Sequence, residues 1–206
     1  GDVDLGRQVH ARIRGSLVAM NDSLGSGLIN MYATCGFLPD AVAVYNALIT
    51  AAGGQQPRPG PAVINALVGA CRQCGEPGQA LRLLDDIDRF GLELDDLGFH
   101  LLAAAAGEAG DAVAAKRLLA RLQGQRQPQR FKANIVDCGQ LAKALIANQQ
   151  SSTSTERTTS TNTTKLADAL SLLGAMDRHN ISPDRQLFEM LLPAFVENVD
   201  ADLGRR

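Results

Sequence analysis

The chain has 206 residues, of which 45% are hydrophobic and only 4% aromatic, so it can bury a core built mainly from small and aliphatic side chains. Its 20 Lys and Arg residues are balanced by 22 Asp and Glu residues, which gives a formal net charge of −2. This balance argues against strong binding to phosphate backbones, and no apolar run approaches the roughly 18 to 20 residues that span a membrane.

One helical pattern recurs five times along the chain. In each copy a small residue is followed by apolar residues three, four and seven positions later, which places four side chains on one face of an α-helix. The first residues of successive copies lie 35, 39, 35 and 54 positions apart. A helix that recurs at about 35 residues is typical of a helical-repeat solenoid. In chain order the copies are Gly6-Val9-His10-Ile13, Ala41-Val44-Tyr45-Leu48, Ala80-Leu83-Leu84-Ile87, Ala115-Leu118-Leu119-Leu122 and Ala169-Leu172-Leu173-Met176.

A second helix is predicted before each copy from the second one onward. Its apolar residues include Leu28, Leu67, Leu102 and Leu141. Three glycines stand five residues before the small residue of the following copy, where a helix should end in the left-handed conformation that glycine accepts. Each repeat is therefore predicted to be a helix, a glycine turn and a second helix. The three glycines are Gly36, Gly75 and Gly110.

These helix pairs predict the repeat boundaries. We expect one solenoid over 1–206, with a half repeat at 1–21, repeats at 22–60, 61–95, 96–134 and 135–184, and a partial repeat at 185–206. The tract 149–164 has no apolar residue to bury and is predicted to be a disordered loop between the two helices of the fourth repeat. The sequence has no initiator Met and no signal-peptide pattern, so we expect a fragment or a mature region, with any targeting peptide outside it.

Several stretches of the chain resemble pentatricopeptide repeats. The resemblance implies an all-α, helical-repeat solenoid in which antiparallel helix pairs form a right-handed superhelix. The main rival is the tetratricopeptide repeat, whose Trp and Leu-Gly-x-x-Tyr arrangement are missing here. The stretches are LINMYATCG at 28–36, NALVGACRQCGEPGQALRLLDDIDRFGLELD at 65–95 and ALSLLGAMDRHNISPD at 169–184, together with LGRQVHARI at 5–13, which is similar to the plant-type variant.

The resemblance also implies that each repeat reads one base of single-stranded RNA. The reading residues would be the fifth and the last of a repeat. Asn65 with Asp95 is similar to combinations that prefer uracil, whereas the other three pairs are not usual reading pairs. Those pairs are Ser26 with Gly60, His100 with Asn134 and Gly139 with Asp184. The residues expected to pack on a base are Ser23, Ala62, Leu97 and Val136, of which Leu97 and Val136 are aliphatic wedges, and those expected to contact phosphate are Arg72 and Lys143.

Other chemistry is not expected from this sequence. Cys71 and Cys74 have no second ligand pair at zinc spacing, so they are interpreted as packing residues of the repeat. His100 has no catalytic partner, and no His is followed two positions later by Glu. We therefore predict no enzyme activity, no metal and no cofactor. The cluster Asp85, Asp86 and Asp88 is interpreted as a solvated helix face.

Three functions remain open at this point. The first is an organellar protein of mitochondrion or chloroplast that binds single-stranded RNA and acts in RNA processing, stability or translation. The second is a structural subunit of an organellar ribosome or another large ribonucleoprotein, which would bind ribosomal RNA or protein subunits without reading bases. The third is a scaffold that binds only proteins. The localisation is inferred from the resemblance alone.

Overall fold

A computed structural model describes residues 3–15, 21–51, 59–124, 132–147 and 158–203 of the chain. All the regular elements in these ranges are α-helices, which confirms the prediction of an all-α helical-repeat fold. By internal contacts the chain divides into two compact units, Gly1–Ala105 and Ala106–Arg206. The helices are α1 (Val3–Gly15), α2 (Asp22–Thr34), α3 (Leu38–Ala51), α4 (Pro61–Gln73), α5 (Pro77–Phe90), α6 (Asp96–Ala109), α7 (Ala112–Gly124), α8 (Ile135–Ala147), α9 (Thr158–Arg178) and α10 (Arg185–Leu203).

The three predicted glycine turns end α2, α4 and α6. Gly36, Gly75 and Gly110 have φ angles of 77°, 77° and 65°, which confirms the predicted left-handed conformation. At the first two turns the chain closes with a backbone bond across six residues, from Phe37 N–H to Tyr32 O at 2.9 Å and from Glu76 N–H to Cys71 O at 2.8 Å. These bonds satisfy carbonyl groups that a helix end leaves without partners. Each turn is so short that the next helix must run back along the first.

The first unit is held together by helices that pack in successive pairs. Helix α2 packs against α3 and α4, and α4 packs against α5. The apolar faces of α3 and α5 that the repeated pattern predicted are buried in this core, from Ala41 to Leu48 and from Ala80 to Ile87. In α1, which contacts α2, the same pattern is less buried: Val9 is 44% exposed.

The second unit repeats this arrangement with α7 to α10. Helix α7 packs against α8 and α9, and α8 packs against α9 and α10. Leu118 and Leu122 of α7 and Leu172 and Met176 of α9 have no solvent-exposed surface, so the pattern again marks the buried faces. Burying such side chains contributes about 1.5 to 3 kcal/mol each.

One prediction needs correction at the Ser/Thr-rich tract. Residues 149–157 of that tract lie outside the described residues, but α9 begins at Thr158. The positions 158–164, expected to belong to a disordered loop, are therefore helical. Threonine has a modest helix propensity, yet extending an existing helix needs no new nucleus and adds one hydrogen bond per residue. The packed segment after Lys165 supplies the helix that these residues extend.

Candidate nucleic-acid interface

The last residue of several repeats caps the first helix of the next one. Asp95 accepts a hydrogen bond from Gly98 N–H at 2.7 Å, Asn134 accepts one from Asp137 N–H at 3.0 Å, and Asp184 accepts one from Leu187 N–H at 2.8 Å. Asp and Asn favour this position because a short side-chain oxygen reaches the free N–H groups of the first turn. The cap fixes each of these side chains at the start of a first helix.

In the second repeat the two predicted reading residues contact each other. The amide Nδ2 of Asn65 on α4 donates to both carboxylate oxygens of Asp95, at 3.1 Å to Oδ1 and 3.0 Å to Oδ2. Because Asp95 Oδ1 also accepts the Gly98 N–H, the carboxylate is held by a helix start and by a neighbouring helix. Both side chains are half-buried. The structure therefore brings Asn65 and Asp95 together in a fixed geometry.

The amide oxygen of Asn65 lies on the other side of its side chain, against α6. It is buried and has no hydrogen-bond partner among the described residues. A Cβ atom built on Gly98 would stand 2.7 Å from this oxygen, closer than van der Waals contact allows. The position of the Asn65 amide thus depends on the absence of a side chain at residue 98.

The first repeat does not show the same pairing. Ser26 donates its hydroxyl to the carbonyl of Ser23, 3.1 Å away in its own helix. The backbone N–H of Gly60 instead donates to Asp22 Oδ2 at 2.9 Å. The link between this repeat's last residue and its first helix is therefore made at Asp22, one helical turn before Ser26.

In the fourth repeat Gly139 and Asp184 line one cavity of about 340 Å³. Val136 and Lys143, which the resemblance assigns to base packing and phosphate contact, line the same cavity, as does Leu187 of α10. A Cβ atom added to Gly139 would meet nothing within 4 Å. This cavity brings together the reading pair, the base-packing residue and the phosphate contact that were predicted for this repeat.

The predicted residues of the third repeat lie in different compact units. His100 is half-buried on α6, in the unit Gly1–Ala105. Asn134, in the other unit, makes a reciprocal cap with Asp137: its N–H donates to Asp137 Oδ2 at 2.8 Å, while its side-chain oxygen accepts the Asp137 N–H. The side-chain oxygen of Asn134 is therefore already engaged within the helix start.

The predicted packing and phosphate residues differ in exposure. Leu97 and Val136 are each 53% exposed, large apolar surfaces that lie on the first turns of α6 and α8. Ser23 and Ala62 are exposed as well, Lys143 is exposed, and Arg72 is half-buried. In the described ranges no group of three or more His, Cys, Asp or Glu residues could hold a metal ion. In the same ranges no helix combines the length and apolar character needed to cross a membrane.

The relatives found by sequence comparison are named pentatricopeptide repeat-containing proteins. The chloroplastic pentatricopeptide repeat-containing protein ELI1 of Arabidopsis thaliana is 31% identical over 111 residues, which are 53% of this chain and 16% of that protein. The chloroplastic pentatricopeptide repeat-containing protein At5g13270 of Arabidopsis thaliana is 29% identical over 103 residues, 50% of this chain and 13% of that protein. No protein-family model matches the chain.

The structural likeness extends over nearly the whole chain. The crystal structure of the pentatricopeptide repeat protein PPR10 from maize matches with a TM-score of 0.52 at 19% identity, covering 98% of this chain and 26% of that one. This match shows the fold.

The chain is similar to pentatricopeptide-repeat proteins in sequence over about half of its length and in fold over nearly all of it. It spans only 16% and 13% of the length of the two relatives named above.

Two features of these repeats were not predicted from the sequence. The capping role of Asp95, Asn134 and Asp184 has a sequence signal, because Asp or Asn directly before a helical pattern is a preferred N-cap. The role of Gly98 has none, because its contact with Asn65 depends on the distance between the first helices of two successive repeats.

Proposed function

We propose that this chain binds single-stranded RNA within an organellar pentatricopeptide-repeat protein that acts in RNA processing, stability or translation. The relatives' names and the fold support the family, and one observation supports the base-reading site. That observation is the hydrogen-bonded pair of Asn65 and Asp95, held between α4 and the start of α6. The pair offers an amide donor and a carboxylate acceptor side by side.

This pair is chemically suited to the edge of a base. An unstacked uracil presents carbonyl acceptors on either side of an N–H donor, and a carboxylate retains acceptor sites beyond those used by Asn65 and Gly98. Because the cap and the amide already hold Asp95, little side-chain freedom is lost when a base binds. We infer that the second repeat reads a uracil through Asn65 and Asp95, as the resemblance implies.

Exposed aliphatic side chains beside the pair support the same proposal. Leu97 stands two residues after Asp95 and is 53% exposed, and a base that leaves the stack needs a surface on which its ring can pack. In the fourth repeat Val136 has the same exposure and lines the cavity with Lys143 and Asp184. A nucleotide bound there would place its base near Val136 and its phosphate near Lys143.

The proposal is tested by measuring equilibrium binding of the chain to a uridine 12-mer at near-physiological salt. We expect Asn65→Ala to weaken binding by about fivefold or more, the lower end of what one base contact contributes. Asn46→Ala is the matched control, because Asn46 is an exposed asparagine on α3, a second helix. Equal affinities of the Asn65→Ala variant and the unsubstituted chain would remove the base-reading proposal.

The proposed localisation is the mitochondrion or the chloroplast. Its support is the chloroplastic designation of the two relatives named above and the mitochondrial designation of another. The measurement is the position of a fluorescent fusion of the full-length protein relative to markers of both organelles, and a signal outside both would contradict this part of the proposal.

A second candidate is a structural subunit of an organellar ribosome or another large complex, which contacts RNA or protein by shape. The observation that favours it is in the first repeat, where Ser26 donates its hydroxyl to the Ser23 carbonyl of its own helix and Gly60 has no side chain, so that this repeat lacks a pair like Asn65 and Asp95. Sedimentation of the native protein on a sucrose gradient tests this candidate. Migration with ribosomal particles after nuclease treatment supports it, whereas migration as a small species counts against it.

A further inference from the structure

We propose that Gly98 is a positioning residue that determines the base specificity of the Asn65–Asp95 pair. It does so by leaving room for the amide oxygen of Asn65, so that the amide turns its N–H edge toward Asp95. The inference rests on the proposed function and deepens it. According to this inference, Gly98 of the third repeat sets the orientation of the Asn65 side chain of the second repeat.

The contacts around residue 98 carry this argument. A Cβ atom at Gly98 would meet Asn65 Oδ1 at 2.7 Å, Leu94 Cδ1 at 2.7 Å and Asp95 Oδ1 at 3.2 Å. Asp95 Oδ1 is the atom that caps Gly98 N–H. The first two contacts are too close to persist, so the neighbours must move if residue 98 carries a side chain.

The atoms that would move are ends of side chains. Leu94 Cδ1 and Asn65 Oδ1 can shift by rotation about their side-chain bonds, while no backbone atom stands among the three nearest contacts. The fold can therefore accept Gly98→Ala, and alanine has a higher helix propensity than glycine. The consequence of the substitution is that the Asn65 amide must move.

The equivalent position of another repeat shows the reverse arrangement. In the fourth repeat the fifth residue is Gly139, and the third residue of α10, the first helix after that repeat, is Leu187, which is 2% exposed. Both line the same cavity. The large side chain of Leu187 therefore stands opposite a repeat whose fifth residue is Gly139. Gly98, which has no side chain, stands opposite the repeat whose fifth residue is Asn65.

The orientation of the amide decides which base group it accepts. With its oxygen buried against Gly98 and without a hydrogen-bond partner among the described residues, Asn65 can offer only N–H groups. A base carbonyl such as O4 of uracil pairs with an N–H, whereas the N4 amine of cytosine is itself a donor and does not. A methyl group at residue 98 would displace the oxygen toward the base and remove this preference.

The test compares the affinities of the chain for a uridine 12-mer and a cytidine 12-mer. We expect the unsubstituted chain to prefer uridine by about fivefold or more, and Gly98→Ala to reduce this ratio to about one with an unchanged or higher Tm. Gly78→Ala is the matched control, since Gly78 is a helical glycine of α5 whose added Cβ would meet nothing within 4 Å. The control should keep the uridine preference.

A double substitution separates a direct role from one that acts through Asn65. In the Asn65→Ala background, Gly98→Ala should change neither affinity, because the amide that it displaces is gone. A uridine preference that survives in Gly98→Ala overturns the inference. So does a loss of uridine affinity on Gly98→Ala that is equal in the unsubstituted chain and in the Asn65→Ala variant.

A readout without RNA keeps this inference distinct from the proposed function. In ¹⁵N-edited NMR spectra the Asn65 side-chain NH₂ signals should shift in Gly98→Ala and remain in place in Gly78→Ala. If the chain binds neither 12-mer, the proposed function fails, and unshifted Asn65 signals in Gly98→Ala overturn the positioning role by themselves.

Discussion

The hydroxyl of Tyr45 on α3 donates a hydrogen bond to Asp86 Oδ2 on α5, 3.2 Å away. These two helices are the second helices of successive repeats, so the hydrogen bond joins one repeat to the next. Tyr45 is 2% exposed, and its burial raises the pKa of the phenol well above the ordinary value, with the nearby Asp86 charge adding to the effect. Asp86 was expected on a solvated helix face, but it is half-buried.

Replacing Tyr45 by Phe should destabilise the chain by about 1 to 2 kcal/mol, because the carboxylate of Asp86 loses its donor in a half-buried site. Urea denaturation followed by circular dichroism measures the change. Tyr32→Phe is a useful comparison, since Tyr32 is the other tyrosine of the chain and its hydroxyl lies 2.9 Å from His10 Nδ1. A Tyr45→Phe midpoint equal to that of the unsubstituted chain would contradict the assigned role of the bond.

The same pair predicts a pH dependence. Folding holds the Tyr45 phenol protonated, so its contribution is complete below the unfolded pKa of about 10 and is lost as the pH rises toward the higher folded pKa. The unsubstituted chain should therefore lose stability above about pH 10 more steeply than Tyr45→Phe does. Parallel stability curves between pH 9 and about pH 11 would show that Tyr45 is not protected from ionisation.

The helices of this protein could be predicted because their signals are local. The repeated apolar spacing of Ala80 to Ile87 and the glycine turns at Gly36 and Gly75 each act within one helix or at its end. The contacts of Asn65 with Gly98 and of Tyr45 with Asp86 join helices of different repeats. Such contacts depend on how closely two helices approach, which periodicity does not specify.

Two of the four cysteines should resist alkylation in the folded chain. Burial raises the pKa of Cys71 to about 11 and that of Cys138 to about 12, and both are at most 1% exposed. At pH 8 iodoacetamide should modify Cys35 and Cys74, which are partly exposed, roughly a hundredfold faster because only thiolates react. Peptide mass spectrometry after timed quenching measures this ratio, and urea should abolish it. Similar rates at all four sites in the folded chain would contradict the burial.

Gly75, the left-handed residue in the turn that follows α4, should tolerate asparagine better than alanine. Gly75 has a φ of 77°, where a Cβ costs about 1 to 2 kcal/mol, and no neighbour lies within 4 Å of the added Cβ. The cost of Gly75→Ala is therefore a backbone cost. Asn180 already adopts a φ of 57° in this chain, so Gly75→Asn should lose less stability than Gly75→Ala. Equal losses in urea denaturation would point to a packing cause instead.

The reciprocal cap of α8 should contribute to stability more than to RNA binding. Asn134→Ala removes the acceptor for Asp137 N–H and should cost about 1 kcal/mol, measured by urea denaturation. Asn134→Ser keeps a capping oxygen and should remain within a few tenths of a kcal/mol of the unsubstituted chain. If Asn134→Ser kept its stability but lost affinity for RNA, the side chain would read a base as well as cap the helix.

Lys143 should contribute to the salt dependence of RNA binding. It is exposed and lines the cavity with Asp184 and Val136, where a backbone phosphate would release about one counterion on binding. Lys143→Met should therefore reduce the slope of log K against log salt by about 0.7, the value for one contact to a single strand. Lys116→Met is the control, because the Lys116 ammonium already lies 2.9 Å from Asp168 Oδ2. Titrations of a uridine 12-mer at several salt concentrations give both slopes. An unchanged slope in Lys143→Met would place the phosphate contacts elsewhere on the chain. The slope is measured because affinity at a single salt concentration cannot separate a lost ion pair from a lost apolar contact.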